Sequence, residues 1–469
     1  MLEKILVGHL VNTKYEDLPL DCIQYCKLLI MDSLGVVFPG SIAPGCQEIV
    51  KLAGNWGGDS GSSLLIYGNK TSPPLAALAN STMMHALDFD DTLDVSALHT
   101  FVTVLPTALA TVEALGEKVS GKQFIAALIL GVDIICRLSM GIRRPLSWIR
   151  TATCGSFGSA AAAGKILNLN HDDMSNALGI VYSQTAGNAQ GLLEGRLVKR
   201  MQPGFAASAG VLSAFLAMNG ITGSRNFLEG PYGFYRLYEQ GEYDVEPVID
   251  RLGEHYTILD LSIKPYPCCR MTHSSIDATL RLRNQIGGPR EEITEIVVET
   301  SEMVAQMVGK PFVIGENPQV DAQFSIPYTV AVALHRGMVF LDDFTPSAVC
   351  NEETKVVADR VRVEIDPSLP AKDLFHSKIA IRAQKGDVYE SAVDVPLGNP
   401  LNPMTIAQCR NKFEKCLSYS GVDVQPDRVR TLLSTIENLE MVDDVGVLVQ
   451  LMRSDKFASL EDLEGGRGI

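Results

Sequence analysis

The sequence predicts a mainly α-helical protein with an α+β part: a large all-helical domain built from both chain ends, and a smaller inserted α+β lid domain. Helical periodicity runs from about residue 16 to 245 and returns after residue 400. Between these stretches, apolar residues alternate in short segments typical of half-buried strands. A chain of 469 residues is also too long for one ordinary core. The predicted boundaries are 1–266 and 400–469 for the helical domain, and 267–399 for the lid.

The helical domain is predicted from apolar spacing and from its small residues. Apolar residues recur every three to four positions over 18–37, and residues 103–116 end in a glycine suited to a helix C-cap. Residues 124–141 are apolar almost all round, which predicts a buried helix. Segments 156–169 and 205–220 are rich in Ala, Gly and Ser, which let backbones approach closely. We expect these two helices to cross at the centre of the bundle.

The lid domain is predicted from alternating strands with helices between them. Strands are expected at 293–300, 360–366 and 377–383, and Lys385-Gly386-Asp387 is suited to a hairpin turn after the third. Helical patterns lie between and after these strands, at 276–286, 328–337, 404–419 and 427–440. Asn402-Pro403 is expected to begin the third of these helices.

Composition excludes some classes of function. The net charge of -15 argues against a nucleic-acid partner, although a local cationic pocket can still bind an anionic substrate. The N-terminus lacks a clean signal peptide, and no run of about 18 uninterrupted apolar residues predicts a membrane span. We therefore expect a cytoplasmic protein. The ten cysteines show no C-x-x-C pair, which favours free thiols, with an iron–sulfur dehydratase as the alternative.

The segment HALDFDDT (85–92) gathers three carboxylates beside histidines. Asp88, Asp90 and Asp91 follow His85 and precede His99, in apolar surroundings. Carboxylates beside histidines can orient a base or bind a metal. The alternative is a solvated or capping cluster at a helix end.

Two further segments carry candidate chemistry. Residues 183–210 place Arg196, Lys199 and Arg200 before a predicted helix, where the helix dipole would help them bind a carboxylate; otherwise they decorate a loop. In KPYPCCRMTH (264–273), prolines stiffen the backbone beside Lys264, and His273 follows near a helix start. Lys264 is a candidate base there, although a single lysine is usually a surface residue.

Taken together, these segments resemble the MmgE/PrpD family, whose members include 2-methylcitrate dehydratase, cis-aconitate decarboxylase and iminodisuccinate epimerase. The resemblance is carried by HALDFDDT with its downstream histidine, TCGSFGSAAAAGK, KRMQPGFAA, KPYPCCRMTHSSIDA, DAQFSIPYTVA and the closing NPMT. It implies a large helical domain with an α+β lid, a homodimer, no metal or other cofactor, and a small polycarboxylate substrate.

The resemblance also implies a set of site residues. As catalytic positions it implies Asp88, Thr92, His99, Lys264, His273 and Tyr328. Lys199 and Arg200 would anchor substrate carboxylates, with Gln202 and Arg150 as further contacts. Lys264 or His99 would take a proton from the carbon next to a carboxylate, and His273 or Tyr328 would donate one. We expect these residues to meet where the helical domain and the lid adjoin.

Three positions depart from the family pattern. Ile149 and Gln202 stand where many relatives carry histidine, and Thr100 stands where the usual residue is proline. Ile149 cannot transfer a proton, which counts against cis-aconitate decarboxylation. The first expectation is therefore a 2-methylcitrate dehydratase-like hydro-lyase. An iminodisuccinate epimerase-like enzyme, a cis-aconitate decarboxylase-like lyase and an inactive binding paralogue are the alternatives.

Overall fold

The computed structural model describes residues 1–58, 61–145, 147–283, 285–286, 293–384 and 386–455. The chain divides into two compact units. The first contains Met1–Ala86, Asp90–Leu261 and the described residues from Thr405 onward; the second contains Leu87–Phe89 and Ser262–Met404. The division therefore falls inside the HALDFDDT segment. A mainly helical protein with an α+β part, as the sequence predicts, is confirmed.

The first unit is built from helices of both chain ends. Its helices in the first part of the chain are α1 (Leu2–Asn12), α2 (Leu20–Ser41), α3 (Cys46–Asn55), α4 (Pro73–His85), α5 (Phe101–Leu115), α6 (Gly121–Met140), α7 (Arg150–Ile166), α8 (His171–Tyr182), α9 (Gln190–Leu193), α10 (Val198–Met218), α11 (Phe234–Leu237) and α12 (Glu246–Ile249). A two-stranded ribbon pairs β1 (Ser62–Ser63) with β2 (Lys70–Thr71). The predicted C-cap glycine of α5 is confirmed, since Gly116 has a φ of 70°.

The predicted crossing of the two small-residue helices is also confirmed. A Cβ placed on Gly210 of α10 would lie 2.3 Å from the Cβ of Ser159 on α7 and 2.8 Å from the amide nitrogen of Ala160. Only a residue without a side chain allows two backbones to approach so closely. Buried alanines of α4, α5 and α10 pack beside this crossing, among them Ala76, Ala110 and Ala207.

Within the described residues of this unit, three helices are long and apolar enough to cross a membrane by length and composition. They are α2, α6 and α10, and 83%, 89% and 61% of their most apolar windows are buried inside the protein. The apolar surface of α6 is thus largely covered by neighbouring helices, whereas α10 keeps part of its apolar surface exposed.

The second unit is a four-stranded mixed sheet with helices. Its elements are α13 (His273–Arg283), β3 (Ile293–Thr300), α14 (Glu302–Val308), α15 (Pro318–Gln323), α16 (Ile326–Arg336), α17 (Pro346–Val349), α18 (Glu352–Ala358), β4 (Val361–Ile365), β5 (Ser377–Ala383) and β6 (Val388–Val393). The strand order is β4-β3-β5-β6, with β3 and β4 parallel and the other neighbours antiparallel. The predicted hairpin joins β5 and β6, although Lys385 lies outside the described residues.

The core of the second unit is formed by one face of this sheet and the helices packed on it. Ile296 and Val298 of β3 and Ile379 and Ile381 of β5 are fully buried with residues of α13 and α16. Alternate residues of a strand face the same side, so these four contribute one apolar surface.

The last helices return the chain to the first unit. They are α19 (Ile406–Ser420), α20 (Pro426–Glu437) and α21 (Gly446–Leu451). The predicted start of α19 at Asn402-Pro403 is wrong. The helix begins at Ile406, because Thr405 and Gln408 form a capping box that satisfies the first free amides. Asn402 instead bridges back to Asn399.

Candidate active site

In the helical unit, two histidines lie close together at the ends of a connecting segment. His85 is the last residue of α4, and His99 lies two residues before α5. Their ring centroids are 4.9 Å apart. Leu93 and Leu98 form an antiparallel bridge that closes the segment, and Ala97 takes the left-handed φ of 49°. A side chain there costs energy, so the loop before His99 is held by its surroundings.

Asp91 fixes the position of His99 by capping the next helix. Its carboxylate accepts hydrogen bonds from the backbone N–H of Thr100 and Phe101 and from the hydroxyl of Thr100. The capping alternative weighed for the acidic cluster is therefore right for this residue. Burial and the nearby Asp90 raise the pKa of Asp91.

Asp90 is the carboxylate shared by both histidines. Its Oδ2 lies 2.8 Å from Nδ1 of His85 and 3.0 Å from Nδ1 of His99. Burial alone would raise the pKa of Asp90, but the two histidines hold it well below its usual range. Burial lowers the pKa of His85 to about 4, against the opposite effect of Asp90. At neutral pH, His85 is therefore neutral and Asp90 is charged.

The geometry also sets the protonated nitrogen of His99. Its Nδ1 lies 2.6 Å from the backbone carbonyl of Asp91, and a carbonyl oxygen can only accept. The proton of neutral His99 is thus on Nδ1, and Nε2 carries the lone pair. Among the described residues, no protein group hydrogen-bonds this Nε2. Such a nitrogen is a ready proton acceptor.

His85, Asp90 and His99 carry side chains of the types that bind metal ions. Their ligand atoms lie within 4.8 Å of one another, close enough for three ligands of one ion. Because the proton on Nδ1 of His99 is held by the Asp91 carbonyl, that nitrogen offers no lone pair to an ion. The donor pattern fits an aspartate that orients two imidazoles.

Lys199 supplies positive charge on the same side of the helical unit. It lies in the first turn of α10, and its charge acts on His85. Positive charge near an open imidazole nitrogen would attract a substrate carboxylate. Thr92 is buried in the middle of the same connecting segment, and the hydroxyl of Thr151 accepts from the backbone N–H of His99.

The other residues expected to bind substrate make structural contacts. The guanidinium of Arg200 donates to the carbonyl of Pro44, and that of Arg150 donates to the carbonyl of Arg144. The amide of Gln202 accepts from the backbone N–H of Asn188 and donates to its carbonyl. Gln202 therefore holds the loop at Asn188 in place, and both its amide oxygen and its amide nitrogen have a hydrogen-bond partner. A histidine could not make both bonds to one residue.

In the second unit, Asp88 and Lys264 form a buried ion pair. The ammonium of Lys264 donates to Oδ2 of Asp88 at 3.1 Å and to its backbone carbonyl at 3.0 Å. Asp88 has a φ of 55°, in the left-handed region. Aspartate tolerates this region better than most residues, and such strain is frequent at functional sites.

His273 lies beside this pair, but both of its nitrogens are occupied. Arg270 donates to Nδ1 at 3.0 Å, and arginine cannot accept, so the proton of His273 is on Nε2. Nε2 then donates to the carbonyl of Cys268 at 3.3 Å. Burial, and the charges of Arg270 and Lys264, hold the pKa of His273 well below its usual range. The expected proton donor is here a neutral, fully bonded residue of the core.

Tyr328 is likewise part of the core of the second unit. It is on α16, packs against Phe312 and Phe344, and its hydroxyl donates to the backbone carbonyl of Asp343. Burial raises its pKa. In this structure the hydroxyl proton is therefore engaged by the backbone.

Gln323 is a residue that the sequence analysis missed. Its side-chain amide donates to the carbonyls of Leu87 at 3.0 Å and of Pro267 at 2.8 Å, and its backbone carbonyl accepts from the backbone N–H of Cys269. It thus holds the segment with Asp88 against the segment with Lys264. It lies in DAQFSIPY, where the sequence analysis singled out only the tyrosine. His85 and Asp90 were noted in their motif but were not assigned a role.

The protein thus combines a helical unit with an α+β second unit, and each unit holds a buried cluster of ionisable side chains. Family comparison agrees. Residues 4–246 match the MmgE/PrpD N-terminal domain and residues 266–438 match the MmgE/PrpD C-terminal domain. The chain belongs to the MmgE/PrpD family, which confirms the resemblance.

Several curated relatives are similar over nearly the full length. A cis-aconitate decarboxylase-like protein of Aspergillus oryzae is 27% identical, over 96% of this chain and 97% of that protein. Cis-aconitate decarboxylase of Aspergillus terreus is 28% identical over 94% of both chains. Cis-aconitate decarboxylase of Homo sapiens is 27% identical, over 95% of this chain and 92% of that protein. These names support a lyase of this family.

Proposed function

We propose that the protein is a lyase that removes a proton from the carbon beside a carboxylate of a small di- or tricarboxylic acid. The leading candidate is the dehydration of a 2-hydroxy tricarboxylic acid of the 2-methylcitrate class. The observation that supports this most is the His99 imidazole, whose Nδ1 is fixed by Asp90 and the Asp91 carbonyl, leaving Nε2 as a base. Lys199 would attract the substrate carboxylate.

The proposed dehydration uses these residues in order. Nε2 of His99 takes the proton from the carbon beside the carboxylate, and the carboxylate disperses the electron pair left there. Asp90 stabilises the positive charge that then develops on the His99 ring. The electron pair forms the carbon–carbon double bond as the hydroxyl group leaves with a proton, giving water. That proton can come from the imidazolium of His99, which thereby returns to its neutral form.

Decarboxylation is the second candidate, and the names of the relatives favour it. In that reaction the bond to a carboxylate breaks and carbon dioxide leaves. The electron pair moves to a carbon beside another carboxylate, and that carbon takes a proton. His99 would then act as the acid. Ile149, buried at the start of α7, provides no proton in this chain.

Product analysis in deuterated buffer separates the candidate reactions. The purified chain is incubated with 2-methylcitrate, cis-aconitate and iminodisuccinate, and the products are followed by NMR. We expect an unsaturated product from the hydroxy acid. Carbon dioxide with one deuterium in the product would instead show decarboxylation, and exchange with inversion would show an epimerase. No change in any acid would favour a binding paralogue.

A thermal-shift screen of di- and tricarboxylic acids would narrow the substrate. A ligand that binds only the native state raises the melting temperature. The acid that does so most should lose its effect in Lys199→Ala and keep it in Lys355→Ala, a lysine of α18 in the second unit.

We also propose that two copies pair through α10. Positions with heptad spacing lie along one side of α10, and all but the serine are apolar, as in a helix that packs against a partner: Val198, Met201, Phe205, Ser208, Leu212 and Phe215. Val198, Phe205 and Leu212 are 42%, 46% and 41% exposed. In sedimentation velocity, Leu212→Asp should give a monomer, whereas Ile406→Asp on α19 should not change the dimer. A monomeric wild type would contradict this.

A further inference from the structure

We propose that His85 is a positioning residue for the base: by donating to the same Asp90 oxygen, it limits how strongly Asp90 holds a proton on His99. This proposal rests on the proposed function, in which His99 transfers the proton. It assigns a role to a buried histidine that the proposed steps do not use.

The geometry that carries the proposal is one oxygen shared between two rings. Oδ2 of Asp90 lies 2.8 Å from Nδ1 of His85 and 3.0 Å from Nδ1 of His99, while its Oδ1 is buried with no hydrogen-bond partner among the described residues. His85 hydrogen-bonds this oxygen, and the His99 ring, bonded to the Asp91 carbonyl, lies within ion-pair distance of it. Each bond that Asp90 accepts from His85 disperses charge that would otherwise act on His99.

Burial separates the roles of the two rings. The side chain of His85 is 2% exposed and that of His99 is 15% exposed. The substrate would therefore reach His99, while His85 lies behind it, against the carboxylate. His85 is the last residue of α4 and is held by that helix, so its position does not depend on the connecting segment.

Other charges around the cluster come from three directions. The charge of Lys199 on α10 lowers the pKa of His85. Asp91 lies next to Asp90 in the chain, and both carboxylates raise the pKa of Asp32 on α2. Asp32 also forms an ion pair with Lys412 of α19. A replacement of His85 leaves the identity of each of these groups unchanged. A change in the titration of His99 in such a variant therefore reports on the shared Asp90 oxygen.

Three substitutions of His85 separate the hydrogen bond from the bulk of the ring. In His85→Asn the amide nitrogen takes the place of Nδ1 and keeps the donor. His85→Leu removes the donor. In His85→Gln the amide nitrogen lies near the former position of Nε2, so no group replaces Nδ1 as the donor to Asp90. His171→Leu, on an exposed histidine of α8 bonded to Asn12, is the matched control.

The test is the titration of His99 followed by NMR of labelled histidines, of which the chain has eight. We expect His85→Leu and His85→Gln to move the His99 midpoint upward by about one pH unit, the size expected for the loss of one charge-assisted hydrogen bond. His85→Asn and His171→Leu should leave it near the wild-type value. An unchanged midpoint in folded His85→Gln, or an equal shift in His85→Asn, would overturn the proposal.

Activity provides the second readout. The acid limb of the kcat/KM profile should move with the His99 midpoint in the same variants, because the base must be neutral to act. Should no acid be turned over, the NMR titration still decides the role of His85. If the midpoint moves while the acid limb stays, His85 controls His99 but His99 is not the base, and the proposed function fails instead.

Discussion

Asp90 is the residue on which the helical-unit site depends, since one of its oxygens lies beside both histidines. The sequence predicts the carboxylate–histidine cluster but does not show which partner each carboxylate contacts. Three aspartates within four residues have three different partners: Lys264 for Asp88, two histidines for Asp90, and the start of α5 for Asp91. These partners are fixed by tertiary contacts, which no spacing in the sequence reveals.

The replacement Asp90→Asn tests whether the Asp90 carboxylate acts on His99. An amide carries no charge to stabilise the protonated His99 ring, so we expect kcat to fall about 10²–10⁴-fold with little change in KM. The measurement is steady-state kinetics on the confirmed substrate, with Asp94→Asn in the same segment as the matched control. A kcat within a few-fold of wild type would show that Asp90 does not act on the base.

Gln323 gives a second prediction for a single residue. In Gln323→Glu, two carbonyl oxygens that accept hydrogen bonds would face a carboxylate, and the segments with Asp88 and Lys264 would separate. We expect a loss of stability of about 1–3 kcal/mol and a lower kcat. Urea unfolding and kinetics measure the two effects, with Gln306→Glu on the exposed side of α14 as the control. Unchanged kcat would leave Gln323 a purely structural residue.

Elements were predicted better than side-chain roles, because hydrophobic periodicity reports burial directly. Strands β3 and β5 have the predicted bounds, and α5 ends at the predicted glycine. The start of α19 was missed because a capping box outweighs an Asn-Pro pair. The structural role of Gln202 could not be predicted for another reason. Its partner, Asn188, lies in an irregular loop that has no hydrophobic periodicity.

The crossing of α7 and α10 gives a prediction at the scale of elements. In Gly210→Val the new side chain would overlap Ser159 and the backbone at Ala160, so the helices must separate. We expect a loss of about 1–3 kcal/mol or more, read as a lower Tm. Gly8→Ala in α1 is the matched control: its Cβ meets only Asn12 at 4.0 Å, and it should stabilise by about 0.5–1 kcal/mol.

At the scale of the whole molecule, the sequence pattern predicts the two units to different extents. The helical unit was predicted from both chain ends, because its apolar helices bury each other. The assignment of Leu87–Phe89 to the second unit could not be foreseen, since three residues carry no pattern. Phe89 packs on Phe340, and Asp88 pairs with Lys264, so these contacts decide the assignment.

The pH dependence of stability gives a whole-molecule prediction. The pKa of His85 is lowered from 6.5 to about 4, so the unfolded chain binds more protons between these pH values. The contribution of His85 is fully present above pH 6.5, and it is lost as the pH falls toward 4, by up to about 1.4 kcal/mol per pH unit.

His85→Asn isolates this contribution, because other groups change in the same range. Burial raises the pKa of Asp32 and of Asp343 to about 6, which has the opposite slope. Urea unfolding of wild type and variant at several pH values between 7.5 and 4.5 gives the difference. The stability difference between wild type and variant should shrink as the pH falls; a constant difference would mean that folding does not lower the pKa of His85.

The most direct test of the central claim is the exchange of the substrate proton in deuterated buffer. The confirmed acid is incubated with wild type and with His99→Asn, and NMR follows the carbon–hydrogen signal beside the carboxylate. We predict exchange or elimination at that carbon with wild type, and a rate about 10²–10⁴-fold lower in His99→Asn, since the base is gone. Wild-type rates in folded His99→Asn would contradict the account.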